Sequence, residues 1–355
     1  MKNQISARQL CAAGFTGLLS LSAAAAWIDW RGALLAVPVV LLAVCAACSG
    51  AKRAGGLLKN PGGKLLAILY IIWGVLLAGA ALALCGTRMS AAGSGNGPLW
   101  PTVLAALPVL WLAAGKPEAF ARAAEILYLA MMAVLALIAL LGAGQVELRW
   151  VLAPGESVFR SFVTAAGIGC TGVYALLPWS GGGERRRFLG WSAAGALVLA
   201  GMAAFTAGSL SPALVRAVER PFFLMTVGLG RTARVESLAA LLWLAADVTF
   251  LGLVLQGCRG LWKDVLGLRG EKWAAAAFTA AMLVIALGLE RYGDPEALLR
   301  GVIPVGGLLL GGAVPAVLWA LGRMRKEPAP EAISGGEEGP PDRIFWESEG
   351  AEKKS

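Results

Sequence analysis

One carboxylate lies deep inside a long apolar stretch of this sequence. Asp247 occupies the middle of LAALLWLAADVTFLGLVLQG, residues 238 to 257. An ionised carboxylate in hydrocarbon costs roughly a few kcal/mol or more, so it must be paired, protonated or next to a polar cavity. Asp247, with Thr249 beside it, is therefore a candidate for cation or proton coupling or for contact with a ligand amine. The alternative is a structural hydrogen bond to a neighbouring helix.

A second candidate site is a cluster of glycines in another apolar stretch, TAAGIGCTGVYALLPW, residues 164 to 179. Gly167, Gly169 and Gly172 fall within six residues. Glycine permits an unwound helix segment, whose freed N–H and C=O groups would bind the carboxylate and the ammonium of an amino acid. We therefore predict a helix break here. The alternative is close helix packing, which we favour for Gly307 and Gly311.

The first apolar stretch of the chain resembles this one. It reads CAAGFTGLLSLSAAAAW from Cys11, and both segments have AAG followed closely by another Gly and end at a Trp. With opposite orientations in the membrane, the two would be the broken first and sixth helices of a five-plus-five inverted repeat. Chance similarity between Ala- and Gly-rich segments is the alternative. Hydroxyl groups near the two predicted breaks are supplied by Thr16, Ser20, Ser22, Thr171 and Tyr174.

The elements that carry these residues are predicted to be membrane-spanning helices. Of the 355 residues 58% are apolar and 15% charged, and the mean hydropathy is +0.70, which is outside the range of soluble globular proteins. Segments of about 20 apolar residues span a bilayer. We predict an all-α membrane protein with ten such segments, near residues 10–28, 33–49, 64–84, 101–115, 124–144, 160–178, 188–208, 236–256, 273–289 and 302–321.

The positive-inside rule orients the ten spans with both termini in the cytoplasm. Every Lys then lies on the cytoplasmic side, and the predicted outer loops carry only Arg, among them Arg88. The net charge of +9 is therefore attributed to topology and anionic-lipid contact, and not to nucleic-acid binding. The first span could alternatively be a cleaved signal peptide, which would leave nine spans.

The chain divides into a transmembrane domain, 1–326, and a tail, 327–355. The tail is rich in Pro, Gly and Glu, and we expect it to be a disordered cytoplasmic segment. The sequence has no His, no nucleophile elbow, no phosphate loop and no paired intramembrane carboxylates, so enzyme activity is not expected. Cys45 and Cys48 form an isolated CxxC, which we interpret as small apolar helix residues. No metal or other cofactor is predicted.

Several segments together resemble the B subunits of bacterial spore germinant receptors, the GerAB family. They are QISARQL near the N-terminus, KPEAFARAAEIL at the fifth span and ERPFFLMTVGLGRTARVESLAALLW before and within the eighth. The family's acid and Arg four residues apart at the fifth span match Glu118 and Arg122. Its Pro, Arg, Glu and Trp around the outer loop match Pro221, Arg234, Glu236 and Trp243.

This resemblance implies a ten-helix fold of the amino acid-polyamine-organocation transporter superfamily, which is LeuT-like. It implies a germinant-sensing subunit in the spore inner membrane, or in a bacterial cell membrane, that assembles with A and C subunits and binds a small molecule such as an amino acid. A secondary amino acid transporter coupled to a cation or proton is the alternative function. By the resemblance, the ligand pocket would comprise Gly14, Thr16, Gly17, Tyr70, Gly167, Gly169, Cys170, Thr171 and Asp247.

Overall fold

The computed structural model describes residues 6–57, 61–90, 97–153, 155, 157–177, 185–218, 220–229 and 235–324. The tail 327–355 lies outside these residues, and so its predicted disorder and cytoplasmic location stay predictions. In the described residues every regular element is a helix. The helices are α1 (Ala7–Ala24), α2 (Trp30–Leu57), α3 (Pro61–Met89), α4 (Leu99–Ala114), α5 (Pro117–Gly142), α6 (Leu148–Leu152), α7 (Val158–Leu176), α8 (Arg185–Leu210), α9 (Pro212–Ala217), α10 (Pro221–Leu229), α11 (Val235–Asp264), α12 (Glu271–Tyr292), α13 (Pro295–Arg300), α14 (Val302–Gly306) and α15 (Val314–Met324), with a π-helical segment (Gly307–Ala313) between the last two.

Six helical segments in the described part of the chain are long and apolar enough to cross a membrane. The other segments predicted to span the bilayer, which correspond to α1, α4, α7 and α8, are helical but shorter or richer in polar residues. The count of ten spans and the inverted repeat therefore stay predictions. The six segments are Trp30–Ser49, Pro61–Met89, Pro117–Gln145, Ala240–Lys263, Glu271–Tyr292 and Pro295–Leu321.

Helix α11 lies at the centre of the bundle. In its most apolar window 83% of the residues are buried, against 17% for the segment that contains α5 and 28% for α12. The peripheral helices expose large apolar side chains such as Leu140, Val284 and Leu309, which suits contact with lipid. The buried side chains of α11, including Asp247, therefore contact neighbouring helices and not solvent.

The prediction that the first and sixth spans are broken is wrong in this structure. Both α1 and α7 are continuous α-helices through their glycines. A Cβ on Gly17 would lie 3.1 Å from Cα of Phe250 in α11, and one on Gly167 would overlap the backbone of Pro304. The glycines are thus required by close approach of neighbouring helices, which is the alternative that the sequence left open.

The observed departure from α-helical geometry lies in the last long helix instead. The π-helical segment packs against α7 at Gly307 and Gly311, as predicted for this GxxxG pair. A Cβ on Gly307 would overlap the carbonyl of Gly167, and one on Gly311 the carbonyl of Cys170. π-Helical turns inside α-helices occur frequently at functional sites. This irregular segment therefore faces α7 from a different helix than the two in which the breaks were predicted.

Candidate ligand-binding site

Asp247 is paired with an arginine inside the helix bundle. Its Oδ1 lies 2.6 Å from Nη2 of Arg88, and the two side chains are 2% and 7% exposed. Ser20 donates a hydrogen bond from its hydroxyl to the same carboxylate oxygen. Three helices, α1, α3 and α11, therefore meet at one buried charge cluster.

The guanidinium of Arg88 has further partners in its own helix and in α1. Its Nε donates to the carbonyl of Leu84 at 3.2 Å, and Nη1 donates to the carbonyl of Ser20 at 3.4 Å. A buried ion pair is tolerated only when additional hydrogen bonds satisfy its remaining donors and acceptors. Arg88 and Asp247 meet this condition and form a compensated pair.

The position of Arg88 corrects the sequence analysis, which placed it in an outer loop. Helix α3 continues to Met89, five residues past the predicted span, and Arg88 is buried in its last turn. Because a buried carboxylate needs a partner, an arginine at the end of a neighbouring apolar span was a signal that could have been used. The sequence gives no distance between residues 88 and 247, and this signal was missed.

A second ion pair lies close to the first. Nε of Arg220 is 2.6 Å from Oε1 of Glu296, and both side chains are largely buried. A cavity of about 10 Å³ is lined by Arg88, Arg220 and Glu296 together with apolar side chains that include Trp243. This is near the smallest volume that holds one water molecule. Arg88 of the first pair and both members of the second thus line the same narrow space.

Four of the other eight predicted site residues, Tyr70, Gly167, Cys170 and Thr171, lie where α7 packs against the π-helical segment. Tyr70 donates a hydrogen bond from its hydroxyl to the carbonyl of Leu310. Tyr174 donates to the carbonyl of Tyr70 at 2.5 Å, and Thr171 to the carbonyl of Gly167 at 2.9 Å. Cys170 is fully buried, with its carbonyl against Gly311. In this closed arrangement the hydroxyl groups are bonded to the protein itself.

The remaining predicted residues lie on α1 and on the face of α7 towards it. Gly14 and Gly169 line an apolar cavity of about 20 Å³ with Leu18, Val173 and Trp191 among its other residues. Gly17 packs on Phe250, as described above. Thr16 is fully buried, and its hydroxyl has no hydrogen-bond partner in the described part of the chain. The structure therefore divides the nine predicted residues among three places, and their role in ligand binding stays a prediction.

The residues described offer no cluster suited to a metal ion. No group of three or more His, Cys, Asp or Glu side chains lies together among them. A larger cavity of about 400 Å³ lies between α2, α7 and the last helix, but its lining is almost entirely apolar, with Ser49 as its one hydroxyl side chain. No charged side chain in the described part of the chain lines this cavity.

Comparison with known proteins identifies the fold. The structure is similar to that of Mhp1, a nucleobase-cation-symport-1 family transporter solved in a closed conformation with bromovinylhydantoin bound, with a TM-score of 0.59 and 15% identity over 88% of this chain and 76% of that one. No family model and no curated protein matches the sequence. The part of the chain that the structure describes is therefore all-helical, and its apolar helices and its fold are those of an integral membrane protein.

Proposed function

We propose that this chain is a membrane receptor subunit that binds a small zwitterion, such as an amino acid, by opening the ion pair between Arg88 and Asp247. The observation that carries the proposal is this pair, buried where α1, α3 and α11 meet. Each of its charges is complementary to one end of an amino acid. The Ser20 hydroxyl lies beside both and can bind either end.

A bound zwitterion would replace the ion pair between Arg88 and Asp247 with two ion pairs, one at each end of the ligand, and this explains why such a ligand suits the site. A ligand carboxylate would take two N–H donors of the Arg88 guanidinium, a strong and geometrically specific contact. The ligand ammonium would take Asp247. A ligand with a single charge would leave the other buried residue without a partner, which is strongly unfavourable. The proposed site therefore selects ligands with both charges.

Ligand binding at this position would change how three helices pack. Arg88, Ser20 and Asp247 belong to α3, α1 and α11, and they are joined through the pair that the ligand separates. A ligand that binds one helix arrangement better than another shifts the population towards it. Such a shift is the signal that partner subunits would detect.

The proposed biological role is germinant sensing in the spore inner membrane, with A and C subunits as partners. Its support is the resemblance to the GerAB family given above. One of the matched residues, Trp243 of α11, lies edge to face on Phe222, which follows the matched Pro221 in the chain, with ring centroids 5.4 Å apart. Glu118 and Arg122 lie at the start of α5, and the side chains of Arg234 and Glu236 lie outside the described residues.

A secondary transporter is the second candidate function. The similarity in fold to a cation symporter favours it, and a carboxylate buried in a helix bundle is a common element of ion and proton pathways. In that case Asp247 would exchange its partner Arg88 for a cation or a proton during transport.

Thermal stabilisation tests ligand binding at the pair. The purified protein is melted in the presence of each of the twenty amino acids, and a ligand at about 100 times its Kd should add about 2.7 kcal/mol to the free energy of unfolding. The variant with both Arg88→Gln and Asp247→Asn removes both charges and keeps polar side chains at the two positions, and we expect it to fold but not to respond. The matched control carries Arg220→Gln and Glu296→Gln and should respond.

Uptake into proteoliposomes separates the two functions. With this chain alone in the membrane, a receptor subunit should bind a labelled amino acid without net accumulation. Accumulation driven by a sodium or proton gradient, and lost in Asp247→Asn, would instead establish the transporter. An equal thermal response of the doubly neutral variant and the wild type would contradict binding at the pair in either case.

A further inference from the structure

A recess with excess positive charge lies at one end of the bundle, between the α4–α5 junction and the α11–α12 turn. Its volume is about 660 Å³. Within it Glu271 pairs with Lys263 and with Arg259, at 3.4 Å for the latter. The three other cations of the recess have no ion-pair partner in the described part of the chain, and their side chains are exposed. These are Lys116, Arg269 and Lys272.

The recess is held in shape by contacts from α11 to the end of α4. Arg259 donates to the carbonyls of Ala113 and Gly115 at 2.8 and 2.9 Å, and Gln256 donates to the carbonyl of Leu112 at 2.7 Å. The last carbonyls of a helix lack partners within it, and at the end of α4 side chains of α11 supply them. The positive charges are thus presented on a preformed surface.

The rim of the recess is apolar. Leu268 is 43% exposed and Trp273 is 82% exposed, and both line the recess. An occupant that fits this surface has several carboxylates and at least one apolar or aromatic group between them. The chain itself contains such a segment after residue 326.

We propose that the acidic tail, residues 327–355, docks in this recess. The tail carries eight acidic and three basic side chains, and seven of the eight acids precede Gly350. Its only cluster of large apolar residues, Ile344, Phe345 and Trp346, is preceded by Asp342 and Arg343 and followed by Glu347. The acids are complementary in charge to the three unpaired cations of the recess, and the apolar cluster can pack on Leu268 and Trp273.

The tail leaves the bundle at the end that carries the recess. Gly86 near the end of α3 packs on Thr102 near the start of α4, so α4 ends, at the recess, where α3 begins. Helix α2 ends at this same end, because only three residues separate it from α3. Trp319, near the end of α15, shares a cavity with Ser49 of α2.

The length of the tail is sufficient to reach the recess. Twenty-nine residues extend to at most about 100 Å, whereas each helix of the bundle is only about 10 Å across. A tethered segment also binds at an effective concentration of the order of mM, so weak contacts suffice. Since α11 forms one wall of the recess and carries Asp247, docking would restrain the helix that holds the buried pair.

Lysine labelling tests the docking directly. The full-length chain and a form that ends at Lys326 are placed in neutral phosphatidylcholine nanodiscs and acetylated with a water-soluble reagent, and the modified lysines are read by mass spectrometry. We expect Lys116 and Lys272 to be labelled several-fold faster in the truncated form. Lys64, which is exposed near the start of α3 but outside the recess, should be labelled equally in both.

Variants of the tail separate charge from chain length. Neutralising Glu337, Glu338, Asp342, Glu347 and Glu349 in the full-length chain should give the fast labelling of the truncated form, and raising the salt concentration should do the same. Neutralising Lys353 and Lys354 is the matched control and should retain protection. Equal labelling of Lys116 and Lys272 with and without the tail overturns the proposal. If labelling then slows only in nanodiscs with anionic lipid, the recess is a lipid site.

Discussion

At the scale of the residue, the chemistry of this protein centres on two charges that neutralise each other. Asp247 and Arg88 are 159 residues apart in the sequence and 2.6 Å apart in the structure. Removal of one partner leaves the other buried without compensation, whereas removal of both leaves only polar or apolar groups. The pair is therefore expected to be strongly coupled in stability as well as in ligand binding.

A double-mutant cycle measures this coupling. We expect Arg88→Met to lower the free energy of unfolding by about 3–5 kcal/mol, because Asp247 is left unpaired. Asp247→Leu should have a similar effect through the unpaired guanidinium. The double variant should recover a large part of the loss, and the measurement is reversible unfolding in mixed detergent. Simple addition of the two single effects would show that the residues do not act as a pair.

At the scale of the element, the glycines of α7 and of the π-helical segment set the distance between two helices. Their backbones approach so closely that a Cβ on Gly311 would overlap the carbonyl of Cys170. Tyr70 and Tyr174 then join α3 to these two helices through hydrogen bonds to backbone carbonyls. A small change at this contact is therefore expected to separate the helices.

Substitution by alanine distinguishes packing glycines from ordinary ones. Gly311→Ala should destabilise the protein by about 1–3 kcal/mol, the usual cost of overpacking. Gly288→Ala is the matched control, because nothing lies within 4 Å of its Cβ position in α12, and a mid-helix alanine should be stabilising by about 0.5–1 kcal/mol. The measurement is the shift in melting temperature. Equal shifts for the two variants would contradict the role assigned to Gly311.

At the scale of the whole molecule, the arrangement of charges relates the fold to the membrane. Arg300 stacks on Trp27 at one end of the bundle, with its guanidinium 5.2 Å from the ring centroid, and the recess with Lys116 and Lys272 lies at the other. The lysine-rich end is predicted to face the cytoplasm. The two ion pairs would then lie towards the outer end of α11, and the basic recess would lie at its inner end.

Reporter fusions test this orientation and the number of spans. With ten spans, alkaline phosphatase fused after Lys326 should be inactive, because both termini are then cytoplasmic. The same reporter fused after Gly293, between α12 and α13, should be active. Green fluorescent protein at the two positions should give the reverse result. An active phosphatase after Lys326 would contradict the ten-span topology with both termini in the cytoplasm. The signal-peptide alternative, with nine spans and the N-terminus outside, also leaves Lys326 in the cytoplasm, so a reporter at the N-terminus is needed to test it.

The sequence by itself was sufficient to predict a helical membrane protein and to single out Asp247, since hydropathy and the cost of a buried charge are local properties of the chain. It also predicted the close packing at Gly307 and Gly311. It did not identify Arg88 as the partner of Asp247, and it assigned the helix breaks to α1 and α7. Glycine is suited both to a helix break and to a close contact between helices. Which of the two occurs depends on whether a neighbouring helix packs against it. The tertiary structure supplied that neighbour because ion pairs and helix contacts join residues that are far apart in the chain.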